Sequence, residues 1–98
     1  MYNHIDEIIS EAESAGSHFF SESALRFFDS IIEPAVYGGR YFITSEQDQY
    51  RAEHPRQWTI RVYNGGTDIK DASGFCEFDS HEEAISAVKK ILISEWTK

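Results

Sequence analysis

One cysteine, two prolines and nine basic residues are what this 98-residue sequence has little of, and each scarcity excludes something. A lone cysteine, Cys76, forms neither an internal disulfide nor a thiolate zinc site, which leaves the cytoplasm as the expected compartment. Apolar runs stop at about four residues, against the roughly 20 that a bilayer-spanning helix needs, so no membrane association is expected. Met1 to Ser10 carries two acids, no Lys or Arg and no apolar block, which argues against a secretory signal. The nine Lys and Arg face seventeen Asp and Glu, for a formal charge of −8. Surfaces that grip a phosphate backbone carry the opposite sign, so nucleic acid is not the expected partner.

What is present is globular. Apolar residues make up 41% and aromatics 14%, whereas a disordered chain of high net charge is poor in both. At this length residues 1–98 form a single domain around one small core. The charge is unevenly spread: residues 1–38 hold seven acids and one base, Arg26, while residues 80–98 balance three against three. Acid-rich helices keep a small protein soluble, which is the commoner meaning of such a bias. The functional alternative is an acidic face that docks on a basic partner.

The periodicity predicts an α+β fold in the order α-α-β-β-β-α. Asn3 and Asp6 mark a helix start, Ile5, Ile8, Ile9 and Ala12 recur at helical spacing, and Gly16 ends the element. His18, Phe19 and Phe20 form an apolar corner before Ser21 or Ser23 caps a second helix. The inner face of that helix is expected to be Ala24, Phe27, Phe28, Ile31 and Ile32, with Pro34 as its stop. At Gly38-Gly39 the period falls to two, and Arg40 to Ser45 reads as a strand. Glu46 to Pro55 is polar and reads as a surface loop. Trp58, Ile60 and Val62 alternate with Thr59, Arg61 and Tyr63 in a half-buried strand, and Asn64-Gly65-Gly66 is a hairpin turn. A third strand lies within Thr67 to Phe78, interrupted near Asp71 to Gly74. Ser80 with Glu83 makes a capping box for a C-terminal helix with Ala84, Val88, Ile91, Leu92 and Trp96 inward. The expected architecture is therefore a three-stranded antiparallel sheet with the last helix packed on it and an N-terminal helix pair.

Catalytic or cofactor chemistry finds no motif. His4, His18, His54 and His81 are scattered and stand at no metal-ligand spacing. His18, beside two phenylalanines, is expected to be packed, and Cys76, between Phe75 and Phe78, to be an inert thiol. The glycine pairs lack the lysine or following helix of a phosphate-binding loop. No cofactor, metal or enzyme activity is expected. The acids Asp6, Glu7, Glu11 and Glu13 on the first helix, with Glu22 and Asp29 on the second, are the candidate partner-binding residues. An alternative site sits on the sheet: if Trp58, Ile60 and Val62 face the core, then Arg61 and Tyr63, with Arg40 and Phe42 beside them, display aromatics and arginines suited to single-stranded bases. The commoner arrangement covers Phe42 with the helix pair and pairs the arginines with acids.

Ser17-His18-Phe19-Phe20-Ser21, Arg26-Phe27-Phe28 and Tyr37-Gly38-Gly39-Arg40-Tyr41-Phe42-Ile43-Thr44-Ser45-Glu46 resemble a family of small proteins of bacteriophages, prophages and their hosts. The Trp-Thr-Ile-Arg strand, the glycine hairpin, Phe78, Glu83 and Ala84 extend the resemblance over roughly residues 14–92. The resemblance implies a mobile-element setting, in which small acidic proteins bind host proteins, CRISPR effectors and restriction enzymes among them. The expectation is a non-enzymatic interaction protein in the cytoplasm of a bacterial host. Its partner is a host or phage protein with a basic surface, and an inhibitor of a defence system such as an anti-CRISPR is its most specific form. A small nucleic-acid-binding or regulatory domain using the outer sheet face is the alternative.

Overall fold

The computed structural model describes residues 1–47 and 55–96; most of the expected polar loop, His54 included, lies outside the described residues. Seven elements follow in order: α1 (Ile5–Ser14), α2 (Glu22–Phe27), β1 (Ile31–Ile32), β2 (Tyr41–Glu46), β3 (Gln57–Tyr63), β4 (Ile69–Asp71) and α3 (His81–Trp96). The strands form one antiparallel meander in the order β1-β2-β3-β4. The class is α+β, but the sheet has four strands where three were expected.

The extra strand comes from the end of the expected second helix. Ser21 caps α2 by accepting the Ala24 N–H, yet the helix closes at Phe27 and Asp29 turns the chain in the left-handed region (φ 49°). Ile31 and Ile32 then pair with Ser45 and Thr44. Two β-branched residues serve a strand at least as well as a helix. The turn is locked from elsewhere: Gln47 N–H donates to the Phe28 carbonyl, and Arg56 donates to the Asp29 carbonyl and carboxylate. Phe27, expected inside, is consequently 58% exposed.

The other elements follow local rules. His4 rather than Asn3 caps α1, its Nδ1 accepting the Asp6 N–H at 3.1 Å. Gly16 ends that helix at φ 99°, with Ser17 N–H reaching back to the Ala12 carbonyl. Gly65 and Gly66 take the positive φ that the β3–β4 hairpin requires. Ser80 accepts the Glu83 N–H, while the Glu83 carboxylate takes the N–H of Asp79 instead of that of Ser80.

The sheet is covered on both faces. On one, Tyr41, Ile43 and Ile60 pack on Ala84 and Val88 of α3, with Trp58, Val62, Ile91 and Leu92 around them. On the other, Phe42 and Tyr63 lie under Ile5, Ile8 and Ala12 of α1 and under Phe20. Strand alternation thus feeds two separate cores. Ile8 and Ile60 are fully buried, one in each. Replacing either with alanine is expected to cost about 2–5 kcal/mol, read as a lowered urea midpoint. A neutral Ile8→Ala would show that α1 is not part of the cooperative fold.

Candidate functional site

Two groups of side chains carry the chemistry: the acids of the N-terminal helices and a polar network on the α1 face of the sheet. In α1 the apolar stripe seats the helix, so Asp6, Glu7, Glu11 and Glu13 fall on its exposed side. Their circumstances differ. Asp6 lies 3.4 Å from the His4 ring and is 83% exposed, and Glu7 accepts a backbone N–H from Asn3. Glu11 is bound by the Tyr2 hydroxyl and lies 2.8 Å from the Tyr63 hydroxyl. Of the two acids assigned to the second helix, Glu22 pairs with Arg26 at 2.6 Å. Asp29 lies beyond the helix and pairs with Arg56 at 2.7 Å. The six acids therefore do not form one contiguous free surface. Asp6, Glu7 and Glu13 remain exposed, and none has an arginine partner among the described residues.

The outward-facing residues expected on the sheet are covered. Phe42 is fully buried, Tyr63 is 1% exposed and Arg61 9%. The reason is the second helical layer, which closes over the face that the alternation of β3 left for solvent. Only Arg40 stays at the surface, where it bonds Glu95 at 2.6 Å and lies over the Tyr41 ring. His18 is exposed and Cys76 sits half-buried in a turn at φ 56°, not inside a strand. Among the described residues no three His, Cys, Asp or Glu side chains gather to hold a metal, and no helix is long and apolar enough to cross a membrane.

Glu46, expected in the loop, is the residue sequence reading missed. It ends β2 opposite Gln57 and is 2% exposed. Arg61 reaches along the sheet to donate to Glu46 at 2.8 Å and to Thr44 at 3.0 Å, and bonds Asp71 of β4 on its other side. Thr44 and Thr59 donate their hydroxyls to the two Glu46 oxygens, at 2.5 and 3.1 Å. The guanidinium is stacked between Phe19 and Phe75, 5.2 and 5.4 Å from their centroids. The signal was Thr-x-Glu on one strand facing Thr-x-Arg on the next, legible only once the pairing is known. Above this network α2 leaves a cleft bordered by Leu25, Phe28 and Ile32.

Residues 4–89 match the model of a family of unknown function, DUF7447. The chain belongs to that family. No curated protein and no solved structure matches it. The family span takes in the buried residues of both cores, the Arg61 network and all of α1, so the candidate residues lie within it.

Two predictions follow from this geometry. Breaking the buried pair with Arg61→Met strands Glu46 and is expected to cost about 3–5 kcal/mol, measured by chemical denaturation. The double variant Arg61→Met/Glu46→Leu is expected to recover a large part of that loss. Hydrogen bonds from Tyr2 and Tyr63 hold the Glu11 carboxyl below its ordinary range, while burial, reinforced by Glu11, pushes the Tyr63 hydroxyl up to about 12. A lowered carboxyl pKa supplies stability above the unfolded value that is lost as pH falls through the folded one. A raised tyrosine pKa supplies stability that is whole below 10.0 and disappears as pH rises toward about 12. Glu11→Gln should flatten the acid limb of the stability profile and Tyr63→Phe the alkaline limb. Profiles unchanged by both variants would exclude the cluster as a source of pH dependence.

Proposed function

We propose that this protein is a non-enzymatic interaction protein that docks on the basic surface of a host or phage protein through the acidic side of α1. One observation carries this reading. The four arginines among the described residues are drawn to carboxylates outside α1: Arg26 to Glu22, Arg40 to Glu95, Arg56 to Asp29 and Arg61 to Glu46 and Asp71. Asp6, Glu7 and Glu13 are left facing water on a helix that has no basic residue of its own. Unneutralised like charges on one short helix raise the local potential and steer a basic partner toward it. The resemblance to bacteriophage and prophage proteins supports a mobile-element setting in a bacterial cytoplasm. There the basic surface belongs to a nucleic-acid-binding defence protein, and inhibition of a CRISPR effector is the most specific form of the proposal. Acids occupying such a surface compete with the phosphates it evolved to hold.

The test is affinity capture from bacterial host lysate, followed by kinetic titration of the protein identified. Asp6→Lys/Glu13→Lys should slow association about tenfold at low salt, with the wild-type rate itself falling as salt is added. Circular dichroism should show an intact fold, because exposed helix positions tolerate lysine. Association independent of both salt and the reversal would leave the acids with solvation alone.

A further inference from the structure

The cleft between α2 and the sheet is a cavity of about 250 Å³, walled by Phe19, Leu25, Phe28, Ile32 and Phe75 and floored by Thr44, Glu46 and Arg61. We propose that it is an anchor pocket for one large apolar or aromatic side chain of a protein partner whose flanking residues are basic. The basic character of that partner rests on the reading above, whereas the pocket stands on its own geometry.

The floor decides the chemistry of the occupant. Arg61 already meets two carboxylates, and both Glu46 oxygens already accept hydrogen bonds. No buried side-chain nitrogen or oxygen among the described residues lacks a partner. A charged ligand finds no free counter-charge there and loses its hydration on entry. An apolar or aromatic group loses nothing and removes the phenylalanine walls from water. Size narrows the class further. The cavity volume corresponds to about eight water molecules, enough for a tryptophan- or phenylalanine-sized group and below the range of about 300–1,000 Å³ usual for small-molecule pockets. One buried aromatic seated in a fitted pocket is how protein interfaces concentrate their affinity.

The rim points to a protein surface and to its charge. Phe28 meets Phe27 edge-on at 4.6 Å and Phe75 at a tilt at 5.4 Å, and Phe27 and Phe75 remain 58% and 47% exposed. This continuous aromatic ridge leads out of the pocket, and a partner backbone lying over it covers rings that water now wets. Among the described residues next to this lining, Glu22 and Asp29 adjoin the α2 wall and Asp71 and Glu77 adjoin the Arg61 and Phe75 side, and together with Glu46 they outnumber Arg26, Arg56 and Arg61. Net negative charge around an apolar socket fits an aromatic anchor set between basic residues, and it disfavours a second copy of this acidic chain.

The experiment uses three probes in an amide-resolved NMR titration of the whole protein: acetyl-tryptophanamide, and acetylated, amidated tripeptides with tryptophan between two lysines or between two glutamates. Saturable shifts are expected at Leu25, Phe28, Thr44 and Arg61, with millimolar affinity and about fivefold tighter binding of the lysine-flanked peptide at low salt. Ala24→Trp, which fills the mouth from α2, should abolish the shifts. Phe75→Ala, which removes one wall, should weaken binding about tenfold. Both variants are checked for an unchanged thermal midpoint, and the pair guards against misfolding of either. Absence of saturable shifts, or shifts indifferent to both substitutions, overturns the pocket. Equal binding of the two tripeptides overturns the basic flank and leaves the apolar anchor site. The α1 charge reversal does not touch this cleft, so failure of the docking helix and failure of the pocket are separately visible.

Discussion

The Arg61 guanidinium is the knot that the sheet is tied around. From β3 it bonds Thr44 and Glu46 of β2 and Asp71 of β4, and two phenylalanine rings close over its faces. A charge this buried is costly unless every polar group around it is matched, and here each one is. The same demand sets the register. Side chains alternate along a strand, so a one-residue slip of β3 against β2 would carry Arg61 into the apolar core under α3 and expel Ile60. Hydrophobic matching alone tolerates near misses, whereas a buried ion pair does not.

That network explains why the two faces of the sheet differ. Under α3 the core is mainly apolar and the helix runs sixteen residues, long enough to cover β2 and β3. The opposite face is half apolar, under α1, and half polar, around Arg61. A six-residue helix is too short to close the polar half, so a cleft persists where α2 stops. The Asp29 turn stops it there, and Arg56 holds that turn to the end of β2 through the Ser45 carbonyl and hydroxyl.

Local patterns were legible in the sequence, and long-range commitments were not. The periodicities of α1 and α3, the alternation of β3 and the glycine hairpin depend on neighbours within a few residues, and each stands where its spacing put it except Trp96, expected inward on α3 but 89% exposed at the helix end. Ile31 and Ile32 fit the apolar face of a helix and the pairing of a strand equally well. The decision came from Arg56 and Gln47, which are distant in sequence. Glu46 reads as the first polar residue of a loop until Arg61, fifteen residues on, lies across from it. Glu11 looks like one more solvent-facing acid, yet Tyr63 claims it from fifty-two residues away. In the candidate site the charges were visible from composition. Which of them are free depends on pairings that no spacing rule contains.

The allocation of counter-charges also bears on where contact is made. Arginine is the strongest partner for a carboxylate, because its fork binds two oxygens at once and stays charged. In this fold Arg56 holds the turn after α2, Arg61 the sheet interior and Arg40 the end of α3, all places where geometry needs fixing. The acids of α1 sit on a helix already seated by Ile5, Ile8 and Ala12, which needs no such help. Apart from Glu11, which Tyr2 and Tyr63 hold, its acids contact at most their neighbours on or beside α1, so their charge ties no distant elements together. The cleft lies on the same side of the sheet, next to α2, whereas the face under α3 is closed by an apolar core. Exposed negative charge and an apolar socket share one side of the molecule, the side on which the docking proposed above would take place.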